Sequence, residues 1–341
     1  MQDAQMPTLE RLVRAHLGDE AGKATLDTLD ITPALTGVEG DKVPRAVFAT
    51  ALGVTLYHAL LARVPSARDY VAERMAKGER IMLDHGALRT IRFAEGPTGA
   101  LPAGQEAFAR ILVPLGYQPV KDYPLPRLKM TGYAYCHADF PQDVVQYFVS
   151  ELHVEQFDEA FAKAAQATFS TSHEPLGELA HEVLLAYAAR KEVTFEQALA
   201  VLPTIAGAFE RQHAPVHETD YETLLAQSAE AAWIATEGNA FNHATDRVAD
   251  VTALADDLRE RGKPVKDKVE HSASGRVHQT ALRADTVTRA MIAADGSEVT
   301  REVPGSFFEF ITRDPLPGSD ELDLGFDSGN ATGIFGMTRA A

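Results

Sequence analysis

Four side chains, widely separated along the chain, are of types that could do chemistry together. They are His85 and Arg89 in DHGALRTIRF, His243 in GNAFNHATDRVADV and Glu309 in SFFEFITR. Arg89 lies four residues after His85, so the two share a face whether the segment is strand or helix. A histidine there can ligate a metal, and the arginine fork matches the two oxygens of a carboxylate. Glu309 sits between Phe308 and Phe310, with Phe307 and Ile311 next along. In a strand, Phe307, Glu309 and Ile311 fall on one face. A carboxylate buried there needs a positive partner, and a divalent metal would serve. Each residue also has a plainer reading: a surface His–Arg pair, a satisfied core histidine, a glutamate turned to water on an edge strand. Taken together, two histidines and one carboxylate form the facial triad that favours non-haem Fe(II) and leaves coordination positions open. Glu151, as a fourth ligand, would close one of these and suit a Lewis-acid role instead.

Strands are expected to position these groups. DHGALRTIRF, MTGYAYCHADF and QYFVSELHV have strand texture, with a helix at QEAFARILVPLGY among them. FNHATDRV, GRVHQTALRA, TVTRAMIAADGSEVTREV and GSFFEFITR repeat that texture nearer the C-terminus. The helix VTALADDLRERG, stopped by Gly262, lies among them, and Ala294-Asp295-Gly296 marks a hairpin turn. Both blocks can be drawn as strand, helix and further strands. His85 and Glu151 are 66 residues apart, as are His243 and Glu309. Two βαβββ units, each with a histidine at its start and a glutamate near its end, would be a structural repeat. The divisions expected are an N-terminal helical region at 1–80, a first module at 81–153, a helical insert at 154–237, and a second module with a C-terminal loop at 238–341.

Composition sets the outer bounds. Apolar residues make up 45% and charged residues 24% of 341, enough for a sizeable core in one large domain or two ordinary ones. Asp and Glu exceed Lys and Arg by 49 to 32, a net charge of −17, which disfavours nucleic acid and anionic membrane partners. The lone Cys136 excludes an intramolecular disulfide and any multi-cysteine metal site. The uncharged run AVFATALGVTLYHALLA at 46–62 contains Gly53, Tyr57 and His58 and is expected to be a buried helix. No signal-like segment opens the chain, and a cytoplasmic location is expected. His213 with His217, His271 with His278, and Cys136 beside His137 read as loop, surface or opposite-facing pairs.

The motifs DHGALRTI, FVSELHV, FNHATDRV, SFFEFITR and GNATGIF, in that order, resemble the 2-oxoadipate dioxygenase/decarboxylases, or hydroxyglutarate synthases, of the vicinal oxygen chelate superfamily. The likeness spans roughly residues 45–337, and His-Gly-Ala-x-Arg is its most specific element. It implies an α+β fold in which βαβββ modules form a curved mixed sheet around a metal. It also implies Fe(2+) on His85, His243 and Glu309, with Arg89 as the substrate-binding arginine. A C-terminal loop whose backbone lies against the substrate falls at about Gly329 to Gly333. The reaction implied takes 2-oxoadipate and O2 to 2-hydroxyglutarate and CO2. The GNATGIF loop and the shorter chain depart from better-known members and bear on which oxo acid is used. The alternatives are a glyoxalase-like lyase or isomerase, with Glu151 as fourth ligand, and a non-catalytic binder of a small acid.

Overall fold

A computed structural model describes residues 6–327 and Met337. The chain begins with helices α1 (Thr8–Leu17), α2 (Asp19–Asp27) and α3 (Pro33–Thr36) and the short strand β1 (Lys42–Pro44). Helices α4 (Arg45–Arg63) and α5 (Pro65–Ala76) follow. By length and composition α4 could cross a membrane, but its apolar residues from Ala46 to Leu56 are buried in the protein, as befits a core helix.

A first βαβββ unit comprises β2 (Leu83–Arg92), α6 (Glu106–Leu112), β3 (Tyr117–Leu125), β4 (Met130–His137) and β5 (Gln146–His153). An all but helical stretch succeeds it: α7 (Glu159–Phe169), α8 (Glu178–Arg190), β6 (Glu192–Thr194), α9 (Phe195–Gly207), α10 (Glu218–Leu225) and α11 (Ala229–Glu237). The chain then returns to the sheet with β7 (His243–Arg247), α12 (Val251–Glu260), β8 (Glu270–His271), β9 (Val277–Ala281), β10 (Thr286–Ile292), β11 (Glu298–Pro304) and β12 (Phe307–Arg313).

Eight strands form one curled sheet in the order β3-β4-β5-β2-β7-β12-β9-β8. The order is symmetric about the antiparallel seam between β2 and β7. On each side the unit's first strand runs parallel to its last, β2 with β5 and β7 with β12. Gly86 faces Ala244 at the middle of the seam, so residues of the first strand map onto residues 158 further on. This is the expected α+β arrangement of paired βαβββ modules.

Two details differ from the sequence reading. The hairpin at 286–304 lies outside the main sheet as a separate ribbon of β10 and β11, and the two-residue β8 occupies the outer place instead. Strand β3, which carries Pro119 and Pro124, was not among the strands named from the sequence. It lies at the sheet's edge, where unpaired N–H positions tolerate proline.

Alternation along the strands separates two faces. Phe308 and Phe310 of β12 join Leu88 of β2 and the N-terminal helices in a large apolar core that also takes in α8 and α9. Gly86 points to this side. A Cβ there would come within 2.3 Å of the Phe241 ring, so only glycine lets that ring lie under the seam. On the opposite, concave face, Ile91 and Leu152 meet a second core built from α7, α10, α11 and the β10–β11 ribbon. That assembly closes one end of the concavity.

Candidate metal centre and substrate cavity

His85, Ala87 and Arg89 project from β2 into the concave face, and His243 and Glu309 reach it from β7 and β12. The parallel register sets Glu309 beside Thr245, two residues from His243, which itself pairs with Phe307. All three potential ligands are buried, and one ligand atom from each lies within 4.8 Å of the other two. Nε2 of His85 is 3.5 Å from one Glu309 oxygen, and Nε2 of His243 is 3.3 Å from the other.

Both histidines are held by the residue immediately before them. Nδ1–H of His85 donates to Asp84 at 2.8 Å, and Nδ1–H of His243 donates to Asn242 at 3.2 Å. That pattern leaves each Nε2 with its lone pair, as metal-ligating histidines require; in His85 it faces the Thr245 hydroxyl at 3.2 Å as well as Glu309. Burial lowers the pKa of His85 and drives that of His243 well below its usual value, so both rings are neutral. Burial pushes Glu309 well above the usual carboxylate range, and the nearby Glu270 and Asp84 add to this. Its Oε1 is buried and accepts no hydrogen bond among the described residues. Two neutral imidazoles and an orphaned carboxylate oxygen therefore fit a divalent cation, whose charge would restore the carboxylate.

Asp84 is itself fully buried. Burial alone would raise its pKa, but Arg313, His85 and Arg247 hold it well below the usual range. Nε of Arg313 donates to both its oxygens, at 3.1 and 2.9 Å, and Nε of Arg247 donates to Oδ2 at 2.9 Å. Asp246, facing the other way, accepts from Tyr70 Oη at 2.7 Å and from the Met82 amide at 3.0 Å. It does not pair with Arg247.

A cavity that opens to solvent lies beside the triad. Arg89 forms one end, its guanidinium carbon 5.1 Å from the centre of the Trp233 ring. Trp233 comes from α11 and is fixed by its Nε1–H bond to the Gly305 carbonyl at 3.0 Å. Phe148 and Phe326, with ring centres 4.9 Å apart, line another wall, and Ser150, Asn242 and Gln279 supply polar edges.

The sequence profile of the 2-oxoadipate dioxygenase/decarboxylase family matches residues 43–321. The chain belongs to that family. A rice (Oryza sativa subsp. japonica) protein named 2-oxoadipate dioxygenase/decarboxylase, chloroplastic/amyloplastic, is 25% identical over 307 residues, covering 82% of this chain and 75% of its own. A solved structure from Ralstonia eutropha JMP134, described as a glyoxalase superfamily protein, superposes with a TM-score of 0.89. It shares 46% identity over 94% of this chain and 98% of its own. The rice hydroxyglutarate synthase, solved in complex with 2-oxoadipate, shares the fold with a TM-score of 0.67. Its identity is 21%, over 87% of this chain and 95% of its own.

Within this family frame, His85, His243, Glu309 and Arg89 converge on one cavity, as their residue types suggested. Gly329 and the rest of the GNATGIF segment lie outside the described residues. Glu151 is not at the centre. It lies five residues beyond Gln146, the partner of His85, whereas Glu309 lies two beyond Phe307, the partner of His243. The equal spacing of 66 therefore does not mark equal positions, and Phe148 is the register counterpart of Glu309. Glu151 turns to the other face, where Tyr133 Oη and the Gln105 amide donate to it at 3.0 and 2.9 Å.

The remaining histidines stand apart from the site. His213 is buried against the Ala214 and Ile234 carbonyls, and His271 pairs with His278 at an exposed place. Sequence reasoning missed Asp84, Trp233, Arg313 and Phe326. One signal was available: Asp84-His85-x-x-x-Arg89 and Asn242-His243-x-x-x-Arg247 are copies of one motif at the 158-residue offset.

Proposed function

We propose that this protein is an Fe(II)-dependent enzyme that converts 2-oxoadipate, or a similar 2-oxo acid, and O2 to 2-hydroxyglutarate and CO2. The observation that carries this reading is the buried triad of His85, His243 and Glu309, with one Glu309 oxygen unsatisfied beside a cavity containing Arg89. Three donors on an octahedral ion leave room for a chelating substrate and for oxygen. Iron, when bound, would supply the capacity to combine O2 with the oxo acid at that face. The balance is closed: one oxygen atom enters the shortened carboxylate, the other the new hydroxyl, and the original carboxylate leaves as CO2. No external reductant is needed.

The chain's own residues do the rest. Neutral His85 and His243 present lone pairs, and Glu309 supplies the single negative charge of the set. Arg89 is suited to grip a substrate carboxylate through its fork and so to fix which carbon meets the oxidant. Phe148 and Phe326 keep an apolar wall against the cavity, limiting access of water to the reacting carbons. The lyase reading drew on Glu151 as a fourth ligand, and Glu151 lies on the opposite side of the sheet.

The test is anaerobic purification with metal analysis, followed by addition of 2-oxo acids of increasing length. The expected result is bound Fe(II), with O2 consumed and CO2 released one for one. Turnover without O2 uptake would overturn the reading in favour of a lyase or isomerase. Ligand-dependent stabilisation with no product would leave a binder.

A further inference from the structure

The segment that follows β12 returns across the mouth of the cavity and carries Phe326 onto the metal centre. The Phe326 ring meets the His85 ring edge-on at 4.9 Å, and its amide donates to Tyr123 Oη at 3.1 Å. Besides the Arg276–Asp323 ion pair and the bond from the Asp323 amide to the Asp314 carbonyl, one buried side chain holds this strap. Nη1 of Arg313 donates to the carbonyls of Asp323 and Gly325 at 2.9 and 2.8 Å. The same guanidinium, through Nε and Nη2, grips the Asp84 carboxylate that orients His85. Its carbon also lies 5.1 Å from the centre of the Phe326 ring.

A second path runs in parallel. Arg247 joins the other side of Asp84 to the Gln142 carbonyl, and the Gln142 side chain accepts from the Leu322 amide at 3.1 Å. The strap and the His85 carboxylate partner are therefore joined by two arginines.

We infer that Arg313 is a positioning residue that couples seating of the 322–326 strap to the orientation of His85, so that metal binding and strap closure strengthen each other. The inference deepens the metal-centre reading above and rests on it. Its physical basis is that one planar fork satisfies two partners at once. If the strap lifts, Nη1 loses both carbonyls and the fork is free to turn. Asp84 then no longer holds Nδ1 of His85 in a fixed direction, and Nε2 loses its aim. Coupling of this kind is reciprocal: whatever fraction of metal affinity the strap contributes, the metal returns as strap order. Lysine at 313 keeps the charge beside Asp84 but cannot reach the two carbonyls as well.

The experiment uses the full chain, stripped of metal, in wild-type, Arg313→Lys, Phe326→Ala and double-variant forms, with circular dichroism to check folding. Co(II) titration, followed by its visible absorption, gives the metal Kd. Hydrogen exchange at Leu322, Asp323, Gly325 and Phe326 gives strap seating. In wild type, Co(II) should slow exchange at those amides. Arg313→Lys should speed their exchange and weaken Co(II) by about tenfold to a hundredfold. The double variant should weaken binding by less than the product of the single effects, because both substitutions break one connection. The inference is overturned if Co(II) leaves strap exchange unchanged, if Arg313→Lys loosens the strap with the Kd intact, or if the two effects simply multiply. Should wild-type protein take up no divalent ion, the metal-centre reading fails. Asp84→Asn then decides the inference in the metal-free protein: faster strap exchange sustains the connection, and unchanged exchange removes it.

Discussion

Phe148 on β5 occupies the position in the first unit that Glu309 on β12 occupies in the second, each counted from the histidine-paired residue of its strand. The fold offers four ligand places by symmetry, and this chain fills three of them with donors. The fourth carries a phenyl ring packed against Phe326. The difference leaves that side of the centre apolar.

Placing a carboxylate at that position tests this account. Phe148→Glu should bind divalent metal more tightly than wild type, because a fourth donor joins the set. O2 uptake with a 2-oxo acid should fall at least about tenfold, since a position needed for substrate or oxygen is occupied. Metal titration and an oxygen electrode read the two effects. Weaker metal binding would show that Phe148 does not face the ion.

Glu309→Gln separates stability from ligation. The metal-free variant should be at least as stable as metal-free wild type, because a buried carboxyl group that is costly to ionise and has an unsatisfied oxygen is replaced by an amide that never ionises. Metal at a thousandfold excess over its Kd should stabilise wild type by about 4 kcal/mol and the variant by far less. Glu151→Ala should retain that metal-dependent gain. Thermal unfolding with and without metal measures all three.

Arg89→Ala should give folded, metal-loaded protein whose kcat/KM for a 2-oxo acid falls about a hundredfold or more, from loss of substrate positioning. Arg89→Lys should recover little, because an ammonium cannot make the paired contact. Steady-state kinetics with metal content determined on the same samples provides the check. Unchanged kinetics in either variant would remove Arg89 from substrate binding.

Acid stability should report on His137, whose pKa burial lowers to about 4. Its Nε2–H donates to the Leu115 carbonyl, and its Nδ1 accepts from the Asp139 and Phe140 amides, so the fold requires a neutral ring. The unfolded chain, with a histidine pKa of about 6.5, binds the proton more readily. Stability is therefore level above about pH 6.5 and falls as pH drops towards 4, by about 3 kcal/mol from this residue. His137→Gln should reduce the slope in that window by about one proton. Urea titrations between pH 4.5 and 7.5 decide it.

The candidate trio and Arg89 were read from residue types, from shared faces and from the likeness to a family, and Glu309 alone stood out against its apolar neighbours. A glutamate between Phe308 and Phe310 asks for an explanation whatever the fold. The doubled βαβββ pattern was legible from strand texture, though equal spacing pointed to Glu151 where register points to Phe148. Spacing along the chain cannot report register, because β5 and β12 are offset by three residues against β2 and β7. Arg313 and Trp233 were not legible. Their roles come from partners, Asp84 and Arg89, more than a hundred residues away, which only tertiary packing selects.

The bare α-carbon of Gly86 sits on β2 next to His85, opposite Ala244 of β7, with the Phe241 ring pressed against it. A methyl group there would act as a wedge, and either the ring or the strand carrying His85 would have to move. The footing of His85 is thus set by the absence of a side chain, on the side of the sheet away from the cavity.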